Sequence, residues 1–307
     1  MEEKRNFDLL TLGQVLLRLS PPNNDRLVRG DTFVKQVGGA ELNVAVGVAL
    51  LGLRTGVISK LPSHDMGSFM KGKIRSYGVS DDFFMYDDSP SARVGIYYYE
   101  NGAYPRKPKV IYDRANSSFY SLKIDEIPEK AYTASRCFHT SGITLALSPK
   151  VRETAIEMIK RFKAAGTLVS FDVNFRGNLW TGEEAKECIE QILPYVDIFF
   201  CSEDTARLTF KKTGTAREMM KSFTEEYPIS IVASTQRIVH SPKSHTFGSI
   251  IYDARKDIYY EEEPYRDIDV VDRIGSGDAY ISGALYGLLT SDFDCEKAVR
   301  YGNATSA

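Results

Sequence analysis

The feature that most constrains this chain is a regular alternation of strand-like and helix-like segments along its 307 residues. Apolar runs predict strands over residues 8–15, 55–60, 137–140, 167–172, 198–201 and 229–233. Helical periodicity predicts helices over 40–51, 66–77, 150–165, 183–193 and 215–226. Parallel neighbours need long crossovers, so this order implies a mainly parallel sheet with helices on both faces, an α/β fold of three αβα layers. With 43% hydrophobic residues the chain has ample material for such a core.

The rhythm breaks between residues 79 and 114. Short β-rich pieces at 83–86, 94–99 and 109–114 follow one another there without a helix between them. With the early strands 16–19 and 32–37 they predict a small antiparallel layer, a β lid built from about 16–37 and 79–114 and inserted into one domain spanning 1–307. Tyr97, Tyr98, Tyr99 and Tyr104 crowd this layer. Such an aromatic cluster has to be covered by a ligand, by the main domain or by a second subunit, so a homo-oligomer through the lid is one expectation.

The charge balance excludes several classes. Lys and Arg number 39 against 41 Asp and Glu, for a net charge of −2, and neither a nucleic acid nor an anionic membrane surface is an expected partner. No apolar run reaches the length of a membrane span and residues 1–8 are charged, so a cytoplasmic protein is expected. Cys137, Cys188, Cys201 and Cys295 lie far apart and read as free thiols. His64, His139, His240 and His245 form no zinc motif, and no G-x-S-x-G occurs.

The chemistry concentrates in two glycine signatures. Near the end, D-R-I-G-S-G-D runs from Asp272 to Asp278 and is followed by a small and apolar helical stretch over 279–289. Gly275 and Gly277 allow a tight turn, and with Ser276 they leave the amides of a helix start open to an anion. Asp278 stands at the same helix start, where the dipole is expected to keep its carboxylate ionised and able to accept a hydroxyl proton. By composition alone G-x-G-D turns up in roughly one chain of this length in ten or fifteen, so a second signal is needed. That signal is Gly38-Gly39-Ala-Glu-Leu-Asn43, a glycine pair that opens a helix and offers Asn43 to ligand hydroxyls. Neither signature is a dinucleotide or Walker motif.

Together, Gly38 to Asn43 and D-R-I-G-S-G-D-A-Y resemble the two signatures of the ribokinase-like (PfkB) carbohydrate kinase family. Within it, K-V-I-Y-D-R-A-N-S over 109–117 and F-D-V-N-F-R-G-N-L-W over 171–180 are most similar to the 2-keto-3-deoxygluconate kinases. The resemblance implies a ribokinase-like αβα domain with a β lid, ATP with Mg²⁺, and phosphorylation of the C6 hydroxyl of 2-keto-3-deoxygluconate. It also implies roles. Asp278 would be the base, with Gly275, Ser276 and Gly277 as the anion hole. Gly39, Asn43, Tyr97, Tyr112, Arg114, Asn174 and Arg176 would hold the acid sugar. An arginine pair suits a carboxylate, because the planar guanidinium binds it through two parallel hydrogen bonds.

Three departures from the family pattern bear on the nucleotide. Many relatives carry N-x-x-E where this chain has Cys201-Ser-Glu-Asp204, which leaves Asp204 or Glu203 as the candidate near Mg²⁺. The glycine-rich nucleotide turn is replaced after residue 233 by S-T-Q-R-I-V-H-S-P-K-S-H-T-F-G, and Ser234, Thr235 and Arg237 are the candidates for the ATP phosphates. The sequence ends at Ala307 in a helical pattern that relatives continue, so part of the nucleotide wall is expected to be missing. The competing readings are a fructokinase-like or other neutral-sugar kinase, whose arginines would turn away from the pocket, and a catalytically silent sugar- or nucleotide-binding protein.

Overall fold

The computed structural model describes residues 5–102, 105–241, 244–271 and 274–307. The chain begins with β1 (Phe7–Leu12), then leaves the main layer for β2 (Leu16–Ser20) and β3 (Val34–Gly38). It returns through α1 (Ala40–Leu50), β4 (Thr55–Pro62), α2 (Asp65–Ser76), β5 (Val79–Ser80) and β6 (Phe84–Asp87). A second excursion forms β7 (Gly95–Glu100) and β8 (Lys109–Asp113). The middle of the chain repeats the strand–helix unit with β9 (Ser135–Ser141), α3 (Gly142–Ala146), α4 (Pro149–Ala164), β10 (Leu168–Asp172), α5 (Gly182–Glu190) and β11 (Ile198–Phe200). After α6 (Glu203–Leu208) and α7 (Ala216–Glu226) come β12 (Ile231–Ser241), β13 (Ser244–Asp253), β14 (Ile258–Glu261) and β15 (Tyr265–Asp269). The described chain closes with α8 (Ser276–Thr290) and α9 (Cys295–Ser306).

The main sheet runs in the order β14-β13-β12-β11-β10-β9-β1-β4-β5, with β15 on β13 and β6 on β4. From β12 to β5 every pairing is parallel, and β13, β14 and β15 add an antiparallel end. Strand periodicity divides the core between the two faces. Leu10, Phe138, Phe171 and Phe199 point to one, where Phe138 stacks on Phe162 of α4 at 4.0 Å. Leu9, Cys137, Ile198 and Phe200 point to the other, against Tyr280 and Leu285 of α8. All four cysteines are free and buried. Among the described residues no helix is long and apolar enough to cross a membrane.

The second sheet, β3-β2-β7-β8, is the lid layer. Its outer pairings are antiparallel, and its central β2–β7 pairing is parallel because a crossover through the main sheet separates those strands. Two expectations change here. Residues 79–87 do not belong to the lid, since β5 and β6 pair with β4 at the main-sheet edge. The strand expected over 229–233 continues to Ser241 and turns back as β13, so the segment expected to replace a nucleotide turn is largely a β-hairpin. Tyr104 of the aromatic cluster, and Asp272 and Arg273 of the glycine signature, lie outside the described residues.

Candidate active site

A cleft of about 640 Å³ opens between the lid and the C-terminal ends of the parallel strands, the usual ligand position in open α/β sheets. Tyr99, Val110 and Tyr112 face it from the lid, Asp172, Asn174 and Arg176 from the end of β10, and Thr235 and Arg237 from β12. Gly275 to Asp278 close it from the start of α8.

The two glycine signatures, more than 230 residues apart in sequence, meet here through the packing of α1 on α8. Asn43 Nδ2 donates to Asp278 Oδ2 at 2.7 Å. Gly39 has φ +145°, and a Cβ there would lie 2.5 Å from the Gln14 carbonyl oxygen, so no other residue fits. Gly275 caps α8 in the left-handed region at φ +80°. Gly277 is different, because a Cβ there would meet nothing within 4 Å. The protein itself does not require glycine at 277, and Gly277 lines the cleft.

The expected dipole-stabilised carboxylate at 278 is corrected by the electrostatics. Burial drives Asp278 up to about 7 against the Asn43 hydrogen bond; the Asp172 and Glu41 charges add to the rise and Arg176 opposes it. Asp172 is likewise pushed up to about 7 by burial, opposed by the Asn174 backbone N–H at 3.0 Å and by Arg176. One helix start does not outweigh desolvation beside two further carboxylates. A group poised near 7 nevertheless suits a general base at neutral pH.

Glu41 is the third acid, almost wholly buried in the first turn of α1. It accepts from Ser141 Oγ at 2.6 Å and Thr144 Oγ1 at 2.8 Å, and burial raises it. Sequence reasoning assigned no role to Glu41 or Asp172, although both stand inside the quoted motifs. Their signal was an acid flanked by core residues. In the sequence Tyr99 stands out only as part of the aromatic crowd.

Arg114 does not line the main cleft. It lies just beyond β8, where its Nε donates to Gln14 Oε1 at 2.8 Å. Burial lowers it, and its charge is felt by Glu41, Tyr112 and Arg176, so the two guanidiniums share one neighbourhood. Tyr97 also sits behind the lining, buried in the lid with its ring 6.0 Å from that of Tyr112. Asn174 holds a left-handed φ of +36° in the turn that brings Arg176 to the cleft.

Two nucleotide-side candidates change. Ser234 does not line the cleft: strand alternation puts Ala233, Thr235 and Arg237 on the cleft face and Ser234 on the opposite one, where it is buried. Arg237 Nη2 donates to Ser276 Oγ at 2.5 Å, tying β12 to the start of α8. Asp204 is exposed on α6 and Glu203 pairs with Arg207 at 2.7 Å, whereas Ser202 and Thr205 face the cleft. Neither acid of that segment reaches the cleft, because the first turn of α6 rotates both away from it. Among the described residues no three His, Cys, Asp or Glu side chains converge as a metal cage.

Residues 6–307 match the pfkB family carbohydrate kinases. Over 300 residues the chain is 34% identical to the 2-dehydro-3-deoxygalactonokinase of Haloferax volcanii, covering 98% of this chain and 90% of the relative. It is 28% identical over 306 residues to a 5-dehydro-2-deoxygluconokinase of Listeria monocytogenes, covering 99% and 90%. The crystal structure of the 2-dehydro-3-deoxygluconokinase of Thermotoga maritima superposes with a TM-score of 0.91 at 31% identity, covering 98% of this chain and 92% of that one.

Proposed function

This chain belongs to the pfkB family of carbohydrate kinases, and from that premise we propose that it transfers the γ-phosphoryl group of ATP to the C6 hydroxyl of 2-keto-3-deoxygluconate. The observation that carries the reading is one cleft lined by Asp278, by Gly277 in the first turn of α8 and by Arg176. A base, an anion site and a carboxylate partner therefore face one another. The sugar kinases named above, which act on keto-deoxy acid sugars by name, support the same substrate class.

Arg176, with Arg114 behind it, holds the sugar carboxylate and aims the distal hydroxyl at Asp278. Asp278 accepts the hydroxyl proton on its free carboxylate edge while Asn43 holds the other oxygen. The base can be weak, because in a loose phosphoryl-transfer transition state the nucleophile loses its proton late. The first-turn amides of α8 stabilise the charge on the transferring group, and Thr235 and Arg237 reach the remaining phosphates. Magnesium would supply charge neutralisation at the ATP phosphates, and no side chain among the described residues is assigned to it. Tyr99, Val110 and Tyr112 exclude water from the reacting atoms.

The C4 epimer, 2-keto-3-deoxygalactonate, is a second reading because the Haloferax relative carries that name at 34% identity. A coupled ADP-release assay with both epimers, 5-keto-2-deoxygluconate and fructose is the test. Turnover with an acid sugar at least tenfold better than with fructose is expected. A preference for fructose would overturn the acid-sugar reading, and sugar binding without ADP would indicate a silent protein.

A further inference from the structure

We propose that Gln14, at the turn between β1 and β2, is the positioning residue that holds Arg114 behind Arg176 at the acid end of the sugar, and that its neutral amide leaves the positive charge of Arg114 uncompensated from position 14 and so available to the substrate. This rests on the acid-sugar reading above.

Gln14 is 3% exposed, and its side chain makes three hydrogen bonds around one arginine. Oε1 accepts from Arg114 Nε at 2.8 Å. Nε2 donates to the Arg114 carbonyl oxygen at 3.1 Å and to Ser117 Oγ at 2.6 Å. The amide therefore grips Arg114 at both side chain and backbone, and it fixes the exit of β8 from the lid. That grip uses only Nε of the guanidinium, leaving the terminal nitrogens outside it.

The surroundings are shaped to admit this residue. A Cβ at Gly95, the first residue of β7, would lie 2.8 Å from Gln14 Nε2, and a Cβ at Gly39 would lie 2.5 Å from the Gln14 carbonyl oxygen. Two glycines from different parts of the chain thus make room for its side chain and its backbone. One residue links the end of β1, the start of α1 and the lid.

The choice of amide over acid has a physical consequence. A carboxylate at position 14 would still accept from Arg114 Nε, but it would neutralise the guanidinium and compete with the substrate carboxylate for it. It would also lose the donor that holds the Arg114 carbonyl. Glu41 already acts on Arg114 in this neighbourhood, so a second acid there would add repulsion to an anionic sugar.

The test uses the full chain with Gln14→Glu, Gln14→Met and Arg114→Gln, measuring KM and kcat for 2-keto-3-deoxygluconate and for fructose, with melting temperature as a folding control. Loss of a hydrogen bond to a charged group corresponds to about tenfold or more in affinity. Both Gln14 variants are expected to raise the acid-sugar KM by that factor, with kcat and the fructose KM changed much less. Gln14→Glu should be the more damaging although it preserves size and the Nε acceptor. An acid-sugar KM within twofold of wild type in a folded Gln14→Glu, while Arg114→Gln raises it tenfold, overturns the role of Gln14. An unchanged KM in Arg114→Gln overturns the carboxylate-anchor reading and this inference with it. A parallel rise for fructose would mark Gln14 as merely structural and likewise overturns the proposal.

Discussion

Replacing Asp278 by Asn separates the chemistry of the site from its architecture. The substitution preserves shape, and the new amide oxygen can still accept the 2.7 Å hydrogen bond from Asn43, so the α1–α8 junction should remain intact. What disappears is the proton acceptor. General-base contributions are about 10²- to 10⁴-fold, so kcat should fall by that factor, or about 3–5 kcal/mol of barrier. The sugar KM should stay within about threefold, because the amide oxygen can still accept a hydrogen bond from the sugar hydroxyl.

The same variant makes a second, independent prediction. The folded carboxylate titrates at about 7, well above an unfolded aspartate near 3.9. Between those values the folded chain binds the extra proton, so this group costs stability progressively as pH rises through the window. Asp278→Asn should therefore melt higher than wild type at pH 8, where the buried charge is present, and the difference should shrink at pH 5, where it is not. Turnover would be followed by ADP release at saturating sugar, and melting by calorimetry at both pH values. A kcat within tenfold of wild type would remove Asp278 from the base role. A lower melting temperature at pH 8 would refute the burial argument.

Three further outcomes are expected. The acid limb of kcat/KM should rise through about pH 7 rather than pH 4, reported as a property of the coupled Asp172–Asp278 pair; Asn43→Leu, which removes a hydrogen bond that lowers Asp278, should move the limb to higher pH. A limb below pH 5 would contradict the electrostatics. Gly277→Ala places a methyl in empty space, so melting should hold steady while turnover drops roughly tenfold through a displaced phosphoryl group; an active variant would show that no ligand occupies that space. Arg176→Lys should raise the acid-sugar KM by about tenfold with little change in melting, because an ammonium cannot reproduce the guanidinium fork; an unchanged KM would remove Arg176 from the carboxylate site.

Much of the site was legible because its elements are local. A glycine pair before a helix, and an aspartate after a glycine turn, carry their geometry within a few residues, so Gly39, Asn43, Gly275 and Asp278 could be named from the string alone. Where the reading erred, the cause was pairing. Residues 79–87 have the composition of lid strands, and only their parallel register with β4 places them at the sheet edge. The antiparallel end formed by β13, β14 and β15 went unread because its strands lack the helices that announced the others. Strand alternation, already present in the sequence, turns Ser234 away from the cleft, but it applies only because β12 runs straight through to Ser241.

The amino-acid order by itself determined the layered α/β class, the two glycine turns and the identity of the acid beside the second, since backbone freedom and hydrophobic period are short-range properties. Tertiary structure alone decided the rest. Bringing Asn43 against Asp278, placing Asp172 on the same cleft and Glu41 buried within reach of their charges, and threading Gln14 between Gly39 and Gly95 are consequences of helix packing and sheet register. Burial, which raises all three acids, and the repulsion that helps bring Asp172 and Asp278 to about 7, exist only when residues distant in sequence share a low-dielectric space.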